Sequence, residues 1–375
     1  MRVCILSMQR VPNFGSLLQA YSLKRLLEGL GHEVSFLDIE KNDEDDALLG
    51  DFRRSSINER EDKGSLYSKL LRIDKYAINR IHTRIRARLQ NEQFEVFRTD
   101  VLGINAIDNK KMYDVCIIGS DEVFNCMQFS PWGFTSQLFG NVSQAKSVIT
   151  YAASCGATTY SELSQAVRNK IKEVFLGVTA FSTRDANTEE FVHNLSSKEV
   201  SVHYDPVLLY NFDEDIMKCT LSKALAKRYC VIYSYPNRIH DKDDILAIQA
   251  FCKVNALSIV SVGATQMWIK NHLVLTPFEM LAVFRNAEFV ITDTFHGTIL
   301  SAKYAKRFAT MARPSNRNKL IDFVTRIHIE KHLINDMSQI ADVYKFVKEQ
   351  VAIDNIIDRE RKRTLAYLED SIVTK

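Results

Sequence analysis

The sequence predicts an α/β protein built as two parallel-sheet domains with helices at its C-terminal end. Three observations carry that prediction. Short β-rich apolar runs alternate with helical patterns on both sides of residue 205. The first forty residues spell strand, loop, helix, glycine, strand, a βαβ unit that commits its strands to a parallel sheet. A chain of 375 residues is also longer than one hydrophobic core comfortably serves.

The elements follow in order. Val3 to Ser7 is the first strand, and Met8 to Ser16 is a loop holding Pro12, Asn13 and Gly15. Apolar residues at Leu17, Leu18, Tyr21, Leu23, Leu26, Leu27 and Leu30 have helical spacing, and Gly31 stops the helix. Glu33 to Ile39 is the second strand. From about 40 to 65 the chain is polar and charged and reads as a surface insertion. Leu66 to Asp100 is basic and helical in pattern, predicting one or two helices over the first domain. Its arginines fit a solvated face or a nucleic-acid face, and the charge balance favours the solvated one.

Strand-like runs resume at Asp114–Gly119, Ser147–Ala152, Val178–Ser182 and Val200–His203. Asp205-Pro206 punctuates the series, since proline disfavours helix at the residue before it. A second series then runs Tyr229–Ser234, helix Asp243–Val254, Leu257–Val262, helix Pro277–Asn286, Glu288–Thr292, helix Gly297–Lys306 and Phe308–Met311. The last forty residues read as helices that pack back across the domain junction. The expected division is 1–208, with a charged helical insertion at about 40–100, then 209–345, then a helical tail at 346–375.

Composition narrows the function. Lys+Arg 49 against Asp+Glu 46 leaves a net charge of +3, too little for a protein that works by coating nucleic acid. The seven cysteines form no CxxC pair and several lie in apolar runs, which fits free buried thiols of a reducing compartment. No stretch approaches the roughly 18 apolar residues of a membrane helix, and the N-terminal apolar run is too short for a signal peptide. The expected location is the cytoplasm. No HExxH, carboxylate cluster, P-loop or GxSxG occurs, so neither a metal nor a cofactor is expected.

Parallel sheets bind ligands beyond the carboxyl ends of their strands, and five such places carry chemistry-bearing residues. Asn13-Phe14-Gly15-Ser16 opens the first helix, where free N–H groups face an anion or merely close a βα turn. Ser120 and Asp121 follow VCIIG, suited to acid/base work, to orienting a hydroxyl, or to capping a helix. Arg184 follows VTAF, a planar fork for carboxylate or phosphate, or one half of a surface pair with Asp185. Thr294-Phe295-His296-Gly297 turns from strand into helix, setting an imidazole beside a helix N-terminus. Arg313 and Arg317 lie after the next strand, either aimed at the same edge or part of a basic surface loop.

Taken in order, these motifs resemble the polysaccharide pyruvyl transferases. The match rests on Asn13-Phe14-Gly15 with Gln19-Ala20-Tyr21, Ile118 to Asn125, Tyr151-Ala152-Ala153-Ser154, Ser182-Thr183-Arg184-Asp185, Asp205-Pro206-Val207-Leu208-Leu209 and Thr292 to Thr298. The resemblance implies two Rossmann-like domains facing across a cleft, similar to the GT-B architecture. It implies transfer of pyruvate from phosphoenolpyruvate onto two hydroxyls of a sugar, forming a cyclic ketal and releasing phosphate. The acceptor sugar would belong to a capsule, exopolysaccharide or lipid-linked precursor, the last bringing the protein to the inner face of the membrane. On this basis Arg184 and His296 hold the donor's anionic groups, and Asp121 serves as acid/base or orients the acceptor. Asn13, Gly15, Ser120 and Thr294 are secondary contacts, and Arg317 an extra phosphate clamp. Some branches carry Arg-Leu-His where this chain has Thr294-Phe295-His296; Arg313 or Arg317 then replaces the missing cation, or the donor differs.

Two other readings share the fold. A nucleotide-sugar glycosyltransferase would need a glutamate for ribose hydroxyls in the second domain, for which Glu279 and Glu288 are poor candidates by position. A non-catalytic glycan-assembly protein would need none of these groups.

Overall fold

The computed structural model describes residues 1–50, 73–127, 130–221, 225–236, 238–314 and 316–373, with side chains in the helix that starts at Ile73 described from residue 82. Most of the expected charged insertion, the expected helix start at Leu66, and Ser315 lie outside the described residues.

The chain forms two Rossmann-like domains, each a six-stranded sheet in which every pair of neighbours is parallel. The first holds β1 (Arg2–Leu6), β2 (Glu33–Leu37), β3 (Tyr113–Asp121), β4 (Ala145–Ala153), β5 (Val178–Thr183) and β6 (Val200–Val202), in the order β2-β1-β3-β4-β5-β6. The second holds β7 (Tyr229–Ser234), β8 (Ser258–Gly263), β9 (His272–Leu273), β10 (Phe289–Thr292), β11 (Phe308–Met311) and β12 (Leu333–Ile334), in the order β12-β11-β10-β7-β8-β9. In each sheet the winding reverses once, between β1 and β3 and between β7 and β10. At such a switch point the connections leave to opposite sides and open a crevice at the strand ends.

The central strands are covered on both faces, so they read as unbroken apolar runs: β1 and β3 keep Val3 to Leu6 and Val115 to Ile118 fully shielded. The helix α1 (Phe14–Gly29) starts where Asn13 accepts a hydrogen bond from the Ser16 amide at 2.7 Å, and the chain leaves it through Gly31 at φ 81°. Nearly all of its first three turns are buried, because α1 is wedged between its own sheet and the second domain. Phe14 lies 6.4 Å from Tyr233, and the Tyr21 hydroxyl donates to Asp215 at 2.8 Å. One apolar core runs through both sheets, from Val3 and Ile5 to Val231 and Val290.

Two segments stitch the domains further. The helix Ile73–Val96 was expected over the first domain alone, with a solvated basic face. It reaches the second domain as well: Gln90 donates to the Leu275 carbonyl at 2.8 Å and accepts from the Leu275 amide at 3.1 Å, while Phe94 packs edge-on against Phe14 at 4.9 Å. The tail helix Gln350–Val373 buries Ile353, Ile356, Ile357, Leu368 and Ile372. It reaches the first sheet through Tyr367, which donates to the Thr150 carbonyl at 2.8 Å, and the crossover through Arg361, which donates to the Leu209 carbonyl at 2.7 Å. The seven cysteines are all unpaired, and Cys219 alone among them is not buried.

Candidate active site

A cleft of about 790 Å³ lies between the two switch points. Residues after β1 line it (Arg10, Asn13, Ser16), as do those after β3 (Asp121, Glu122, Asn125), after β7 (Tyr235, Arg238) and after β10 (Phe295, His296). Arg184 comes from the tip of β5, and Asn316 and Lys319 from the start of the helix Arg317–Arg326. Three helices, α1, Phe295–Tyr304 and Arg317–Arg326, put residues of their N-terminal ends on its wall, and none carries an acidic side chain in its first turn. Their end charges are therefore left for an anion.

Asp205 is the hub of the site. It follows β6 at the crossover between domains, and one carboxylate oxygen accepts from the Val207 amide at 3.0 Å, capping the short helix Pro206–Leu209. The other oxygen accepts from Arg184 Nη1 at 2.6 Å and stands 3.3 Å from His296 Nε2. Arginine of the first domain and histidine of the second thus share one carboxylate that is 1% exposed. Burial alone would raise the Asp205 pKa; the neighbouring His296 and Arg184 outweigh it and hold the carboxyl at about 2.

Arg184 is itself buried. Burial works against its charge, but Asp205, Asp121, Asp185 and Glu122 outweigh that and push its pKa above the ordinary value. Its guanidinium stacks on Phe295 at 4.4 Å, and Nη2 lies 3.9 Å from Asp121 Oδ1. Nε and Nη2 have no hydrogen-bond partner. Buried N–H donors left unpaired at a cleft wall are costly unless a ligand accepts from them. Asp185 does not form a surface pair with Arg184; it caps the helix Ala186–His193 and accepts from Ser154 at 2.7 Å.

Asp121 sits at φ 80°, a left-handed conformation that non-glycine residues rarely adopt and that clusters at functional sites. It caps no helix, because β3 runs into a turn. Its carboxylate accepts from the Ser16 hydroxyl at 2.8 Å and from the Glu122 amide at 3.0 Å. Gly15 presses against the His296 ring so closely that a Cβ there would collide with it.

The remaining expected residues divide. Asn13 lines the cleft. Ser120 and Thr294 stand behind its wall: Ser120 donates to Gln19 at 2.9 Å, and Thr294 accepts from the Gly297 amide at 3.0 Å as the cap of the helix that carries His296. Arg313 donates to Asp293 at 3.2 Å, and Arg317 is exposed outside the cleft. The cation at this edge is Lys319, whose ammonium donates to Glu122 across the domain boundary. Burial would raise the Glu122 pKa, yet Lys319, Arg184 and Asn125 bring it down to about 2. Glu279 is spent in a capping box with Thr276, and Glu288 on Arg307 and Tyr344.

Asp205, Glu122 and Lys319 escaped the sequence reading as site residues. The first two sat inside motifs where only their neighbours carried an evident chemistry, and nothing local marks Lys319. Among the described residues, no group of three or more His, Cys, Asp or Glu is placed to hold a metal ion, and no helix is long and apolar enough to cross a membrane.

The family model described as polysaccharide pyruvyl transferase matches residues 13–316. No curated protein matches the sequence. Solved structures align over nearly the whole chain at low identity. Arabidopsis thaliana UGT89C1 complexed with quercetin is 12% identical over 99% of both chains, with a TM-score of 0.47. The S. aureus MnaA–UDP structure is 10% identical over 100% of this chain and 98% of that one, with a TM-score of 0.46. The UDP-GlcNAc 2-epimerase of Methanocaldococcus jannaschii is 11% identical over 98% and 100%, also with a TM-score of 0.46.

Proposed function

Because this chain belongs to the polysaccharide pyruvyl transferase family, we propose that its cleft moves pyruvate from phosphoenolpyruvate onto two hydroxyls of a glycan sugar, closing a cyclic ketal and releasing phosphate. The observation that carries this reading is the pair of unpartnered Arg184 nitrogens, buried at the cleft wall beside His296. A guanidinium with two free N–H donors matches a planar carboxylate or a phosphate edge. Asp205 keeps Arg184 charged and holds the imidazole toward the same space.

The chemistry divides among the residues as follows. Arg184 and His296 bind the donor's carboxylate and phosphate, and Lys319 stands at the same edge. His296 supplies the proton that the enol's methylene carbon must gain, which makes C2 electrophilic. Asp121, held by Ser16, orients the acceptor hydroxyls against C2. Asn13 contributes at the cleft wall, whereas Ser120 and Thr294 act by fixing the loops behind it. The acceptor is a glycan precursor, and a lipid-linked one would bring the protein to a membrane surface.

Phosphate release from phosphoenolpyruvate, with a panel of glycan acceptors, tests the reaction. His296→Ala should lower turnover by about 100-fold or more, and equal release by parent and variant would remove His296 from the mechanism. In thermal shift, stabilisation by phosphoenolpyruvate is expected. Stabilisation by UDP but not by phosphoenolpyruvate would sink the reading in favour of a nucleotide-sugar donor.

A further inference from the structure

We propose that Glu122 is the base that takes the proton of the attacking acceptor hydroxyl, and that the donor frees it by taking over Lys319. This rests on the pyruvyl-transfer reading above and assigns a residue that reading leaves idle.

The geometry is specific. Glu122 stands at the end of β3 in the first domain, next to Asp121; Lys319 stands in the first turn of the helix Arg317–Arg326 in the second. Their side chains meet across the cleft, and both line it. The second oxygen of Glu122 accepts from Asn125 Nδ2 at 2.7 Å, which fixes the carboxylate's plane and leaves Lys319 as the one ammonium on it. Lys319 also lies 5.7 Å from the centre of the Phe295 ring that carries the Arg184 guanidinium at 4.4 Å. Two cations thus flank one aromatic ring. A small dianion that satisfies the unpaired nitrogens of Arg184 comes within reach of Lys319 and competes with Glu122 for it. A phosphate offers more acceptor oxygens and more charge than one carboxylate.

Glu122 loses its countercharge at the moment the donor arrives. The cations that hold its pKa at about 2 are then shared with the donor, and burial, which pushes the other way, makes it more basic. Asp121 is less suited to the task, because both its oxygens already accept, from the Ser16 hydroxyl and the Glu122 amide.

The step balances. The methylene carbon gains a proton from the acid. The first hydroxyl's oxygen forms a bond to C2 as its proton passes to Glu122. The bond from C2 to the phosphate oxygen breaks, its electron pair leaving on phosphate, and the second hydroxyl closes the ring. Of the two hydroxyl protons, one ends on the former methylene carbon by way of Glu122, solvent and the acid, and the other leaves on phosphate. The order of binding follows: donor first, acceptor second.

The test is isothermal titration of phosphoenolpyruvate, and separately of inorganic phosphate, into the parent, Glu122→Gln and Lys319→Met, alongside steady-state pyruvyl transfer. Glu122→Gln should bind both anions several-fold more tightly, because Lys319 no longer has a competitor, while kcat falls by about 100-fold or more. Lys319→Met should bind both more weakly. Glu122→Gln that binds the anions more weakly, or that keeps the parent's kcat, overturns the proposal. A parent that neither binds phosphoenolpyruvate nor releases phosphate from it overturns the underlying reading, and the role of Glu122 with it. Only in the former case does the parent enzyme work.

Discussion

Replacing Asp205 by asparagine strikes the point where the two domains share a charge. Asparagine keeps the volume and an oxygen for the Val207 amide and removes one negative charge. The carboxylate is 1% exposed, 2.6 Å from Arg184 and 3.3 Å from His296. Removing one member of such a buried cluster leaves the others uncompensated, at a cost of about 3–5 kcal/mol. A second route gives a similar size. The folded carboxyl titrates at about 2 against an ordinary 3.8, a gap worth about 2.5 kcal/mol. Because the folded value is the lower one, this contribution is complete above the ordinary value and drains away as pH falls through it toward about 2. Urea unfolding of parent and Asp205→Asn should therefore differ by about 3 kcal/mol at near-neutral pH, hold that difference down to about pH 5, and converge by about pH 3. A difference below about 1 kcal/mol at neutral pH, or one indifferent to acid, would refute the account of Asp205 as the shared counter-ion.

Two further substitutions probe the neighbours. Arg184→Lys keeps the charge but loses the fork, so the Michaelis constant for the donor should rise about 10-fold or more; an unchanged constant in initial-rate measurements counts against Arg184 as the donor's clamp. Gly15→Ala puts a methyl group into the His296 ring and should cut turnover by about 100-fold. Its urea midpoint should move little, since alanine's better helix propensity, about 0.5–1 kcal/mol, offsets part of the crowding.

The sheets were legible for a physical reason. A strand buried on both faces must be apolar throughout, so VCIIG and VCIL announce themselves. The two-residue strands β9 and β12 carry no periodicity and were invisible, as was the helix Arg317–Arg326. The helix Ile73–Val96 showed its pattern but not its partner, because Gln90 meets Leu275 across 185 residues of chain. Arg184 and His296 could be singled out because strand tips are where parallel sheets bind ligands. Arg317 and Lys319 could not be told apart, since residues two apart on a helix point to nearly opposite sides and only the fold decides which one faces the cleft. Glu122 and Asp205 owe their importance to partners on other elements, Lys319 in one case and both Arg184 and His296 in the other.

The core that runs without a break through both sheets also constrains ancestry and engineering. Rossmann-like halves are often treated as interchangeable cassettes. Here a cut near residue 205 would strip Tyr21 from Phe212 and Phe278 and pull Phe14 away from Tyr233, leaving a wet aromatic face on each fragment. Neither half should be soluble by itself, and a chimaera with a related donor half would inherit a mismatched seam. Change in this lineage is therefore expected to come through the loops at the strand tips, residue by residue, rather than by exchange of whole domains.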